Sequence, residues 1–186
     1  MKMILQVLKA GVTGIFVISG ISASAVAEQV DVADLLRQLA DPDTPNWQQV
    51  ERQIRTEWSR SGSVSMDLLL QRGEKALEDE EYDVALEHFT ALTDHAPDFA
   101  EGWNGRATAL FHKNLYGPAI ADLEKTLSLN PDHFGAMTGL AVIMQNVGME
   151  EQALEVWYHV LRAHPHRPEM LDAIKALEAE VGGQAL

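Results

Sequence analysis

Residues 100–133, AEGWNGRATALFHKNLYGPAIADLEKTLSLNPDH, recur in outline on both of their flanks. Rows of 34 residues beginning at Met66, Ala100 and Phe134 bring Pro97, Pro131 and Pro165 into one column. The eighth residue of each row is small: Gly73, Ala107, Ala141. The twentieth is Ala85, Ala119 or Ala153, and the twenty-first is Leu86, Ile120 or Leu154. A large apolar residue, Phe89, Leu123 or Trp157, stands twenty-fourth. A fixed period of this length predicts a helical array. Within the first row, Met66, Leu69, Gly73 and Leu77 recur at spacings of three and four, one stripe of an amphipathic helix. Tyr82, Ala85, Leu86, Phe89 and Leu92 form a second stripe. Gly73 and Ala85 are expected where the two helices approach most closely, so that a larger side chain there costs about 1–3 kcal/mol by overpacking. The prolines close each unit. Asp98 and Asp132 are expected to cap the helices that follow them, and Asn130 to end its helix in the left-handed conformation.

With Trp103, Ala107, Tyr116, Ala119 and Pro131 in the second row, this register resembles the tetratricopeptide repeat (TPR). The first row carries Gly73, Tyr82, Ala85, Phe89 and Pro97. The third is looser, with Met137 where Trp is usual and Glu150 where Tyr is usual. The resemblance covers 102 of 186 residues. It implies an all-α fold, a right-handed α-solenoid of three helix–turn–helix units at 66–99, 100–133 and 134–167. It further implies that the first helix of each pair lines a concave face that holds a protein or peptide partner.

The flanks extend this picture. Lys2 and Lys9 precede an uncharged run from Ala10 to Ala27 that ends Ala23-Ser24-Ala25-Val26-Ala27. That is the pattern of a cleavable export signal, residues 1–27, with cleavage after Ala27 and a periplasmic or secreted product. A retained anchor is the alternative; eighteen residues diluted by Gly11, Thr13, Gly14, Ser19, Gly20, Ser22 and Ser24 are short for a span. No membrane association is expected after cleavage. In the N-terminal segment 28–61, Val32, Leu35, Leu36 and Leu39 form one helical stripe, ended by Asp41-Pro42. Trp47, Val50, Ile54 and Trp58 form another. These two helices are expected to stack on unit one and cover its apolar side, as terminal units of a solenoid require; the alternative is that they fold back into the concave face. Ser61-Gly62-Ser63 is a hinge. Residues 168–181 are expected to form a capping helix, with Met170, Leu171, Ile174, Leu177 and Val181 toward the array and Glu169, Asp172, Lys175 and Glu178 toward water. Gly182-Gly183 would end it, leaving 182–186 as a tail.

A formal net charge of −14 argues against a nucleic-acid partner, which calls for a basic face. The absence of cysteine excludes disulfides, thiol catalysis and thiolate metal sites. No phosphate-binding glycine loop, nucleophile elbow or HExxH motif occurs. His88 and His95 can share a helix face but lack a third ligand nearby, and His159, His164 and His166 surround a unit boundary that reads as a solvated turn, with His164 near a helix's negative end. The run Glu78-Asp79-Glu80-Glu81 reads as a solvated turn as well. No catalytic residue, metal site or cofactor is expected.

The candidate site is therefore the set of positions on the first helices that the core does not claim. These are Asp67, Leu70, Gln71, Glu74 and Glu78, then Glu101, Asn104, Gly105, Thr108 and His112, then Thr138, Gly139, Val142, Gln145 and Asn146. Gly105, Gly135 and Gly139 are expected to leave room in the groove. Such a groove suits an extended segment or a helix with apolar anchors and a basic rim. Relatives that grip the C-terminal carboxylate of heat-shock chaperones use cations in the groove. The matching positions here, Leu70, Glu74, Gly105, Gly135 and Gly139, supply none. By analogy with other exported repeat proteins, an adaptor in envelope or cytochrome assembly is expected. A self-associating scaffold, a homo-oligomer built by end-to-end stacking or by swapping of the N-terminal helices, is the alternative.

Overall fold

The computed structural model describes residues 30–184. The expected export signal at 1–27 lies outside them. Among the described residues there are nine helices and no strand: α1 Val32–Ala40, α2 Trp47–Trp58, α3 Val64–Glu78, α4 Tyr82–His95, α5 Ala100–His112, α6 Tyr116–Leu129, α7 Phe134–Asn146, α8 Glu150–Ala163 and α9 Pro168–Gln184. α3–α4, α5–α6 and α7–α8 are the three hairpins that the 34-residue period predicts. The first helices touch one another, α3 with α5 and α5 with α7, whereas the second helices make no comparable approach. The array therefore curves with α3, α5 and α7 on its inner face.

Each first helix stops at the same place in its row. Glu80, Asn114 and Gly148, the fifteenth residues, take φ of 60°, 59° and 75°. The following amide of each unit reaches back five residues: Glu81 N–H donates to the Ala76 carbonyl at 2.8 Å, Leu115 to Leu110 at 2.9 Å and Met149 to Met144 at 2.9 Å. This is the left-handed helix stop that satisfies a terminal carbonyl. Asn130 does not play this part; its backbone is extended, with φ −138°. Asp98 and Asp132 cap nothing. α5 starts without a side-chain cap, and His133 caps α7 by accepting the Ala136 N–H on Nδ1 at 3.0 Å.

The core follows a size rule. The twenty-fourth side chain of each row packs between the small eighth residue of its own unit and the sixth residue of the next. Phe89 has Gly73 and Gly105, Leu123 has Ala107 and Gly139, and Trp157 has Ala141 and Ala173. A Cβ on Gly73 would come within 2.6 Å of the Phe89 ring, and one on Gly105 closer still. Gly73 is thus tightly packed, and the three atoms nearest such a Cβ belong to Phe89 rather than to the Ala85 expected opposite it. α9 enters this pattern as a fourth first helix, burying Met170, Ile174 and Leu177. Leu171, expected to face the array, is exposed, and α9 continues through Gly182-Gly183 to Gln184 rather than ending there.

The N-terminal pair does not stack on unit one. Leu35, Leu39, Val50 and Ile54 form a small core with Phe134, the first residue of α7, and Leu36, Trp47 and Trp58 pack around it. Trp58 stacks on His133 with ring centroids 4.7 Å apart, and Trp47 stacks on His166 at 5.4 Å. The buried carboxylate Glu51 meets Arg167 Nη2 at 2.5 Å and His164 Nε2 at 3.2 Å, and His166 Nε2 lies 3.0 Å from the Leu39 carbonyl. The outward face of α3 is left uncovered, with Val64 and Leu68 exposed. The inter-unit turns around His133 and His164 present aromatic surface, and the solvated turn expected at His164 is a buried junction.

Candidate binding groove

On the inner face, α5 and α7 diverge around a hollow of about 240 Å³. Asn104, Ala107, Thr108, Phe111 and His112 line it from α5, Leu123 forms part of the floor, and Gly135, Gly139, Val142 and Ile143 line it from α7. It exists because Gly135 and Gly139, one turn apart on α7, put no side chain into the gap. A Cβ on Gly139 would rest 3.5 Å from Leu123, an ordinary contact. Thr108 donates its hydroxyl to the Asn104 carbonyl at 3.0 Å, so its polarity is met within its own helix. The Asn104 side-chain amide makes no hydrogen bond among the described residues and stands at the rim. His112 stacks flat on Tyr82 at 4.6 Å.

Five of the expected site residues thus meet at one place: Asn104, Thr108, His112, Gly139 and Val142. A second group, Asp67, Leu70, Gln71 and Glu74, lines a separate hollow of about 500 Å³ between α3 and α2, opposite Arg52, Arg55, Thr56, Ser59 and Arg60. The arginines of α2 could not be assigned there without knowing where α2 docks. Among the described residues no ion pair spans this second hollow. Arg55 binds Glu51 on its own helix at 2.8 Å, and Arg60 binds Glu57 at 2.9 Å. Asp67 accepts the Ser61 hydroxyl at 2.5 Å and the Ser61 amide at 2.8 Å, which hold its carboxyl below the usual range.

Two expected groove residues belong to the core. Leu70 is only 2% exposed and adds little surface to the second hollow, and Gly105 is covered by the Phe89 ring. The small sixth position there serves packing between units. Gln145 accepts the Trp157 indole N–H at 2.9 Å, and Glu101 lies 3.0 Å from His133 Nε2. Thr138 donates to the Phe134 carbonyl at 2.8 Å. Thr138, Gln145, Glu78 and the exposed Asn146 line neither hollow. Glu74 titrates above the usual carboxylate range. Desolvation is the main cause, followed by repulsion from Glu101 and Glu78. The array helices bring no lysine or arginine to the α5–α7 hollow.

No family model matches the chain. It is 33% identical over 148 residues to a TPR repeat-containing protein of Rhizobium etli, spanning 80% of this chain and 72% of that one. It is 26% identical over 148 residues to the small glutamine-rich tetratricopeptide repeat-containing protein 2 of Saccharomyces cerevisiae, covering 77% of this chain and 42% of the yeast protein, less than half its length. Among solved structures, the first TPR of Spaghetti (RPAP3), bound to the HSP90 peptide SRMEEVD, superposes with a TM-score of 0.61 at 20% identity, over 63% of this chain and 93% of that one. Period, helix stops, small-residue columns and relatives agree, and the chain belongs to the tetratricopeptide repeat family.

Proposed function

We propose that the chain is a non-enzymatic protein-interaction module that holds a polypeptide segment against its inner face. The observation that carries this reading is the open hollow between α5 and α7, floored by apolar side chains and rimmed by the unpartnered Asn104 amide. An apolar floor with few polar groups at its edge is the usual make-up of a ligand site. The solved relative that binds SRMEEVD supports the mode of use. A photoreactive residue placed at Thr108 is expected to cross-link a partner polypeptide, and one placed at the exposed Gln152 is not. Adding Asn104→Arg is expected to erase the adduct; an undiminished adduct rejects the site. The same proposal places the working protein outside the cytoplasm, as an adaptor in envelope or cytochrome assembly. Its support is the pattern of residues 1–27 alone. N-terminal sequencing of the chain from cells is expected to begin at Glu28, and a chain retaining Met1 rejects it.

A self-associating scaffold is the second reading. Val64 and Leu68 stand exposed on α3 at one end of the array, and Leu171 on α9 at the other. Light scattering on the eluting peak separates the two: a monomer at high concentration excludes the scaffold.

A further inference from the structure

We infer that the segment seated between α5 and α7 is basic, with a single large apolar side chain as its anchor; this rests on the reading of the hollow as the binding site. The anchor follows from the shape. About 240 Å³ bounded by Ala107, Phe111, Leu123, Val142 and Ile143 accommodates one large aliphatic side chain, and apolar burial is what such a floor rewards. The Asn104 amide beside it has both a donor and an acceptor to offer a ligand's backbone.

The charge follows from the neighbouring turn. Glu101 lies one helical turn before Asn104 on α5, and Glu74 and Glu78 stand across from it on α3. Glu101 and Glu78 both repel Glu74; Lys75, which also feels Glu78, is bound to Asp79, and Glu101 meets His133 Nε2 at 3.0 Å. Arg52, Arg55 and Arg60 line the second hollow together with Glu74 but make no ion pair to it; Arg55 is committed to Glu51 and Arg60 to Glu57. A lysine or arginine next to the anchor relieves this repulsion, whereas an acidic flank adds to it. The chain's net charge of −14 favours encounter with a basic segment in the same sense. SRMEEVD, by contrast, is an acidic peptide.

The test uses the full chain and three fluorescent nonapeptides, read by anisotropy. The first has one central leucine between two lysine pairs, the second has glutamates for the lysines, and the third has glycine for the leucine. The first is expected to bind at least about tenfold tighter than either other, the effect of burying one aliphatic side chain or of reversing the flanking charge. Its affinity is expected to fall as salt rises from about 50 to about 300 mM. Gly139→Leu, which fills the hollow, abolishes the binding, and Glu74→Gln with Glu78→Gln weakens it about fivefold. Circular dichroism confirms that each variant is folded. If the glutamate peptide binds as tightly and Gly139→Leu weakens it, the basic partner is overturned and the groove stands. An acidic segment held by the arginines of α2, unaffected by Gly139→Leu, also overturns it. If the lysine peptide binds with Gly139→Leu and the glutamine variants unchanged, the site lies elsewhere and both readings fall. Both fall too if no peptide binds at millimolar concentration.

Discussion

Gly105 and Gly139 occupy the same column, yet a methyl group has opposite effects at the two. At Gly105 it meets the Phe89 ring, and Gly105→Ala is expected to destabilise the fold by about 1–3 kcal/mol. At Gly139 it meets Leu123 at 3.5 Å, and Gly139→Ala is expected to stabilise by about 0.5–1 kcal/mol by removing glycine from a helix interior. Urea denaturation measures both; equal effects would contradict the size rule. Sequence alone does not separate the two glycines. Their difference lies in how far a phenyl ring reaches compared with a leucine, which the identity of residue 105 or 139 does not reveal. Glu80 offers a second test. It holds the left-handed position that Gly148 fills in unit three. Glu80→Gly is expected to stabilise by about 0.5–1 kcal/mol, the relief of left-handed strain less the added freedom of an unfolded glycine. A thermal melt reports the gain.

Between elements, the interactions with the largest stakes are ionic. Arg106 on α5 grips Asp122 on α6 through two bonds of 2.7 Å and reaches Thr93 on α4 at 3.0 Å. Asp122→Ala leaves the guanidinium half-buried without its counter-ion and is expected to cost about 3 kcal/mol in chemical denaturation. At the α2 junction, burial lowers the His164 pKa; Arg167 and His166 act in the same direction and Glu51 opposes them. The folded state therefore binds fewer protons at His164 than the unfolded chain does. Stability contributed there is intact above the unfolded value and falls as pH drops below it toward the folded one. His164→Gln is expected to flatten the loss of stability between pH ~7.5 and ~5.5, measured by urea titration at each pH. Helix positions were legible because apolar stripes recur at helical spacing in α1 to α4 and α9, and the 34-residue period carries the pattern through α5 to α8. The docking of α2 was not. Its stripe of Trp47, Val50, Ile54 and Trp58 shows that a partner surface is needed but not which one, and His133, Phe134 and His164 look in sequence like ordinary turn residues. For the same reason the acidic positions of α3 were legible and the arginines opposite them were not.

At the scale of the molecule, an open solenoid is held only by neighbours, so its units can peel away from either end one after another. Here Glu51 lies 116 positions before Arg167, and their contact joins the beginning of the described chain to the end of its last hairpin. The α1–α2 pair acts as a strap that turns a row of dominoes into a hoop. Fraying at the α8 end first has to break the strap, so the three hairpins are expected to melt together in a single steep transition. Cutting the strap with Glu51→Ala or Phe134→Ala should let hydrogen exchange spread from α8 inward while α3 and α4 stay protected. The hoop also has a kinetic side: its closure unites distant parts of the chain, which slows folding relative to a plain array of the same length.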